Sequence, residues 1–244
     1  MEQPLGITRV LNDAFGAPLN SLLQAMGVHP ANPGAPIKDG FALELSVAVA
    51  LILFFILVRA TLSVEKPNPA QQIAEMIHEF TGSNAEQIIG HGYERFQAFA
   101  TCIFLFVVIN NLLGLIPGLH TPTAAPYIPL GIAVPTFFYY HYFGFKEQGL
   151  AGYMKHFAGP IWWIAPLLFP IEIISHFARV MSLTIRLYAN MFASDLVTLV
   201  FFWLFPFAIP ALFLGLHAAV SLIQAYVFML LAMIYLSQAV AHEH

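Results

Sequence analysis

Two stretches of this chain, residues 96–145 and 196–242, contain no Asp, Glu, Lys or Arg at all. Each is far longer than the roughly 18–20 apolar residues that cross a bilayer as a helix. Across all 244 residues there are nine Lys or Arg and thirteen Asp or Glu, 9% of the chain, against 59% hydrophobic residues. A soluble globular domain carries roughly a quarter charged residues. So few charges cannot cover a water-facing surface, which excludes a soluble enzyme, a nucleic-acid binder and a disordered chain. The pattern predicts an all-α integral membrane protein. The net charge of −4 says little here, and the placement of the charges says much more.

The order of apolar and polar segments predicts five membrane-embedded helices plus one amphipathic helix on the surface. The spans are 41–64, 96–116, 130–145, 162–204 and 207–240, and the third is short unless it begins inside the Pro-rich turn before it. Residues 1–40 read as an external segment without a secretory signal, and Leu19, Leu22, Leu23 and Met26 have the spacing of a short interfacial helix. Residues 41–244 form a single transmembrane domain. In 70–90, Glu75, Glu79 and Glu86 exclude a span, while Ile73, Ile77 and Phe80 share one helical face, so this is the surface helix. A polar segment is expected over 146–159. The last two helices exceed the length needed to span and form a long tilted hairpin, 162–240, turning near Pro206.

Basic residues set the orientation. Arg59, Lys66 and Arg95 flank one polar segment, and Lys146 and Lys155 the other, whereas the N-terminal segment has Arg9 and Lys38. Five against two places both polar segments in the cytoplasm, the N-terminus outside and the C-terminus inside. Cys102 is the single cysteine, so no cysteine cluster can hold a metal. His78-Glu79 begins a zinc-protease motif, but Gly82 stands where its second His is required. No metal and no cofactor are expected.

The hairpin nevertheless keeps four charged residues in its first helix: Glu172, Arg179, Arg186 and Asp195. Such residues inside a membrane helix are functional candidates by default. Glu172, Arg179 and Arg186 repeat every seven residues, so they form a narrow stripe, joined by Ser175, Ser182 and Asn190. Asp195, nine residues past Arg186, falls on the opposite face. In the last helix His217, Ser221 and Gln224 form a second stripe. Folding the hairpin at Pro206 sets Asp195 level with His217 and Arg186 level with Gln224. It sets Glu172 towards the cytoplasmic end. Arg186 has no acidic residue three or four positions away, and a guanidinium does not escape by deprotonating. Its counter-charge is therefore expected from another polypeptide. Arg179 reads as structural, linked to Glu172 or to lipid headgroups, and histidines away from the hairpin, His141 among them, read as interfacial.

Three motifs appear in order: 111–118 (NLLGLIPG), 171–191 (IEIIS to SLTIRLYANM) and 224–228 (QAYVF). With the topology, they make residues 40–240 resemble subunit a of F-type ATP synthases. Ala189 stands where that family commonly has Gly, and Asp195 where it commonly has Glu. The resemblance implies a non-catalytic subunit for proton transport in the F0 sector, in which two offset half-channels lead protons to and from a rotating c-ring. It implies Arg186 as the essential electrostatic residue opposing the ring carboxylate. Asn190, Asp195, His217 and Gln224 would line the outer path and Glu172 the inner exit, with Ser175, His176, Arg179 and Ser182 as secondary candidates. The implied partners are the c-ring, peripheral stalk subunit b, the other ATP synthase subunits and membrane lipid, and no nucleic acid. The lack of a recognisable cleavable targeting segment leads us to expect a bacterial inner membrane, with a thylakoid or mitochondrial inner membrane as the alternative. The other class that buried charges allow is a self-sufficient secondary ion transporter, but the chain has neither of that class's usual marks, two related halves and a broken-helix site.

Overall fold

The computed structural model describes residues 5–27, 32, 34–116, 119, 121–158, 163, 165–204 and 208–240. All regular structure among these residues is helical, with no strand among them. The helices are α1 (Gly6–Ala25), α2 (Asp39–Ala60), α3 (Pro69–Ile89), α4 (Glu94–Leu112), α5 (Tyr127–Ala158), α6 (Ala165–Leu204) and α7 (Ala208–Val240), with short 3-10 turns at Leu113–Leu115 and Pro122–Ala124. Four described segments are long and apolar enough to cross a membrane: Asp39–Ala60, Glu94–Leu115, Pro166–Leu204 and Ala211–Val240.

The expected third span is longer than the sequence pattern indicates. α5 begins at Tyr127, inside the Pro-rich turn, because Pro129 falls in its first turn, where a missing N–H costs nothing. It runs on into the expected polar segment and breaks at Gly149, whose φ of 70° and ψ of 163° are not helical, and a second helical piece continues beyond the kink to Ala158. Its many Tyr, His and Gly residues leave it outside the group of strongly apolar helices.

α7 is the central helix. Ala225, Phe228, Met229, Ala232, Met233 and Leu236 are all buried, the 3–4 spacing of one helical face. Ala225, Phe228 and Ala232 pack with Ile103 and Val107 of α4, Ile128, Ile132 and Ala133 of α5, and Leu183, Leu187 and Met191 of α6, while Met229 and Met233 pack with Ala85 and Ala100, and Leu236 with Phe96 and Tyr140. The same stripe, read towards the start of α7, becomes Gln224, Ser221 and His217, equally buried. One face thus supplies an apolar core along one half and a polar core along the other.

α3 is amphipathic as expected, but its two faces have different partners. Ile73 and Phe80 are exposed. The covered side is small and polar: Thr81 bonds Thr101 of α4 at 2.7 Å, Gln97 Nε2 donates to the His78 carbonyl at 2.6 Å, and Tyr226 of α7 donates to Asn84 at 3.0 Å. The apolar side is therefore left for lipid. α1 is likewise tied down by polar contacts. Asn12 exchanges two hydrogen bonds with the backbone of Ile37, at 3.0 and 3.1 Å, and Thr8 donates to Asp39 at the start of α2. Its Ile7, Val10, Phe15, Leu22 and Met26 stay exposed.

α6 and α7 have 40 and 33 residues, about 60 and 50 Å at 1.5 Å per residue. They run antiparallel. The contacts Asn190–Gln224, Met191–Ser221 and Asp195–His217 are each equidistant from position 206 to within about two residues, as a hairpin geometry requires. The turn at Pro206, the Pro117-Gly118 stop and Trp162 lie outside the described residues.

Candidate functional site: two polar clusters on one helix

One polar cluster gathers around His217, which is 2% exposed. His217 Nδ1 lies 3.5 Å from Asp195 Oδ1 and 2.8 Å from Ser194 Oγ, and Nε2 lies 3.1 Å from the Asn111 carbonyl oxygen. That carbonyl is free because α4 ends at Leu112, and the last carbonyls of a helix have no partner in their own helix. Asp195 accepts from Thr121 Oγ1 at 2.8 Å. Asn111 Oδ1 accepts from Thr123 Oγ1 at 2.6 Å, and Asn111 Nδ2 donates to the Ser221 carbonyl at 3.4 Å. The predicted pairing of Asp195 with His217 is present, and α4 and the turn at 121–124 build around it.

Gly114 makes this closeness possible. A Cβ there would overlap Thr121 Oγ1 outright and would sit 3.3 Å from His217 Nε2. Only a residue without a side chain lets the Thr121 hydroxyl reach Asp195 across that turn.

Gln224 is buried and accepts from Asn190 Nδ2 at 2.9 Å. The expected neighbour was Arg186, one helical turn earlier. Gln224 is instead engaged by Asn190, and Arg186 donates to Ser182 Oγ at 3.3 Å. The reason is angular. Arg186 lies on the flank of α6, about 60° to 140° around the helix from the buried Leu183, Leu187 and Met191, while Asn190 lies about 40° nearer that buried face, at 100° per residue. Among the described residues no carboxylate pairs with Arg186.

A second polar cluster lies about 15 Å (His176) to 21 Å (Glu172) along α6 from Arg186, by helical rise. Glu172 Oε1 is 3.4 Å from His176 Nε2, and His176 Nδ1 is 3.1 Å from Tyr140 OH of α5. His176 is 8% exposed. His141 is half-buried and packs its ring 4.7 Å from that of His176, at the α5–α6 seam. Arg179 stands over the Tyr235 ring at 5.1 Å, so its partner is an aromatic face and not Glu172. Ser175 is half-buried near this cluster. Among the described residues, no group of three His, Cys, Asp or Glu side chains is placed to hold a metal.

The face of α6 that carries Arg186 is uncovered. Ala178, Ser182, Ala189 and Ala193 are exposed, and all fall within an arc of roughly 80° that includes Arg186, at 100° per residue. Small residues in such a stripe let a neighbouring helix approach closely.

Two partly buried polar clusters on one long apolar helix, with a partly exposed arginine between them, are the arrangement an ion-translocating membrane subunit needs. The comparisons give the family. The ATP synthase A chain family matches residues 42–237. ATP synthase subunit a of Koribacter versatilis is 50% identical over 244 residues, 100% of both chains. That of Solibacter usitatus is 42% identical over 235 residues, 96% of this chain and 100% of its own. That of Helicobacter hepaticus is 40% identical over 218 residues, 87% and 95%. The chain belongs to the ATP synthase subunit a family, the proton-channel subunit of F-type ATP synthases.

Proposed function

We propose that the two clusters are the ends of two offset proton half-channels and that Arg186 separates them. Asp195, His217, Asn190 and Gln224 carry protons on the outer side, and Glu172 with His176 carries them on the inner side. The remaining partner is a rotating ring of c subunits, seated on the uncovered stripe of α6. Arg186 acts electrostatically. It draws each ring carboxylate into its ionised form, which forces proton release, and it repels a proton that would cross directly from one cluster to the other. The subunit is non-catalytic, and ATP chemistry belongs to other subunits of the complex.

The observation that carries this reading is Arg186 itself: a permanent charge in an apolar helix, partly exposed on a stripe of small residues, with no carboxylate partner among the described residues. A counter-charge from outside the chain satisfies both its electrostatics and its direction. α5 serves as a fifth span and α3 as the surface helix. The N-terminus is outside and the C-terminus cytoplasmic, in a bacterial inner membrane where peripheral stalk subunit b also docks.

The test is proton-driven ATP synthesis in membrane vesicles. Arg186→Ala is expected to abolish coupled synthesis, and Arg186→Lys to leave it severely impaired, because a flexible point charge does not reproduce a planar fork. Near-normal synthesis in either variant, with the subunit assembled, rejects the assignment.

A further inference from the structure

The hydrogen bonds around His217 determine which of its nitrogens can hold the moving proton, and they bring in Ser194, a residue outside the proton-path set above. Nε2 faces the Asn111 carbonyl at 3.1 Å. A carbonyl oxygen can only accept, so Nε2 carries its hydrogen whether the ring is neutral or charged. Nδ1 is then bare in the neutral ring. It needs a donor, and an ionised carboxylate has none to give. The Ser194 hydroxyl supplies it, at 2.8 Å. When Nδ1 is protonated it becomes a donor, and Asp195 Oδ1, 3.5 Å away, is the charged acceptor beside it. The Ser194 hydroxyl then rotates its hydrogen away and offers a lone pair.

We infer that His217 takes up and returns the travelling proton at Nδ1 alone, and that Ser194 is the positioning residue that holds the neutral ring ready to receive it. The step balances within the pair. As Asp195 moves in by about half an ångström to hydrogen-bond distance, its O–H bond breaks and an N–H bond forms at Nδ1, leaving carboxylate and imidazolium. The reverse step restores both. Nε2 stays anchored to α4 throughout, so no proton passes through the ring from one nitrogen to the other. Ser194 is adjacent to Asp195 in sequence, and the two side chains reach one nitrogen because His217 projects between them from α7. This inference rests on the reading of the outer cluster as a proton path.

The test uses the intact complex in liposomes, with ¹⁵N-labelled histidine. The spectrum of the wild type minus that of His217→Gln isolates the His217 signals. The neutral ring is expected with Nε2 protonated and Nδ1 bare. In parallel, Ser194→Ala should slow ATP-driven proton pumping about tenfold, the value of one lost hydrogen bond near 1.4 kcal/mol, while Ser194→Thr, which keeps the hydroxyl, stays within about twofold of wild type on the same scale. Co-purification with the ring establishes that each variant assembles. A neutral ring protonated at Nδ1, or Ser194→Ala pumping at the wild-type rate, overturns the inference while His217→Gln stays impaired. Wild-type pumping by His217→Gln would overturn the underlying reading of the path instead.

Discussion

Gly114→Ala tests how closely the outer cluster is built. The added methyl would occupy the space now filled by Thr121 Oγ1 and would press on His217 Nε2 at 3.3 Å. To regain ordinary contact the Thr121 hydroxyl must retreat by about 1.5 Å, since carbon contacts settle near 3.5–4.0 Å. Its bond to Asp195, now 2.8 Å, then opens beyond hydrogen-bond range. A hydrogen bond to a charged group contributes about 1.5–3 kcal/mol, so proton flow through Asp195 should fall by roughly ten- to a hundredfold. The assay is ATP-driven acidification of inverted membrane vesicles, with ATP hydrolysis measured on the same vesicles to correct for assembly. Thr121→Ala removes the same bond without the clash. The double variant should therefore pump like Thr121→Ala alone, which is the non-additivity expected of residues in contact. Wild-type pumping by Gly114→Ala would refute the reasoning, as would a double variant whose loss is the product of the two single losses.

Two further substitutions separate path from packing. Gln224→Leu takes the partner from Asn190 Nδ2. An interhelical bond in a membrane contributes only about 0.6 kcal/mol on average, so the thermal midpoint in detergent should hardly move while proton pumping drops several-fold; equal losses in both would assign Gln224 to packing alone. Gly82→Ala should do the opposite. Its Cβ would lie 2.6 Å from Gln97 Nε2 and would displace the bond from Gln97 to His78. A destabilisation of about 1–3 kcal/mol is expected as faster amide exchange across Pro69–Ile89, and unchanged exchange would contradict the tight α3–α4 seam.

What the sequence could reveal followed from what repeats regularly. Helix periodicity and antiparallel register are one-dimensional rules, so the level pairing of Asp195 with His217 could be read by counting from Pro206. The same counting set Arg186 beside Gln224 and missed by one turn, because it gives height along a helix and not the direction a side chain takes around it. The contributions of Asn111, Thr121, Thr123 and Gly114 could not be read this way. They come from a turn between two helices, and the path of a turn is fixed by tertiary contacts. A signal was available all the same: Asn110 and Asn111 are paired amides within a charge-free run, and both are fully buried. The link from Tyr140 to His176 was hidden for another reason: Tyr140 lies inside the expected third span, but no pattern in the sequence sets the register of that span against α6.

The spacing of the clusters along α6 bears on why a single chain of this kind does not leak. From Glu172 to Asp195 is 23 residues, about 35 Å at 1.5 Å per residue, close to the roughly 30 Å thickness of the hydrocarbon core. Arg186 lies between them, about 21 Å from Glu172 and 14 Å from Asp195 on the same rise. No proton hops such distances without intervening carriers. The inner gap from His176 to Arg186 holds Ser182 on the exposed stripe, beside the buried apolar Leu183. On the proposed function each cluster therefore opens to one side of the membrane, and neither reaches the other through this chain. The missing link must be a group that moves, takes a proton at one cluster and yields it at the other, and it must run along the one face of α6 left uncovered. The scarcity of charge that marks this sequence is then a condition of coupling. Another carboxylate on the uncovered stripe between Glu172 and Asp195 would neutralise Arg186 or provide a stepping stone past it, and either would let protons cross without turning the ring.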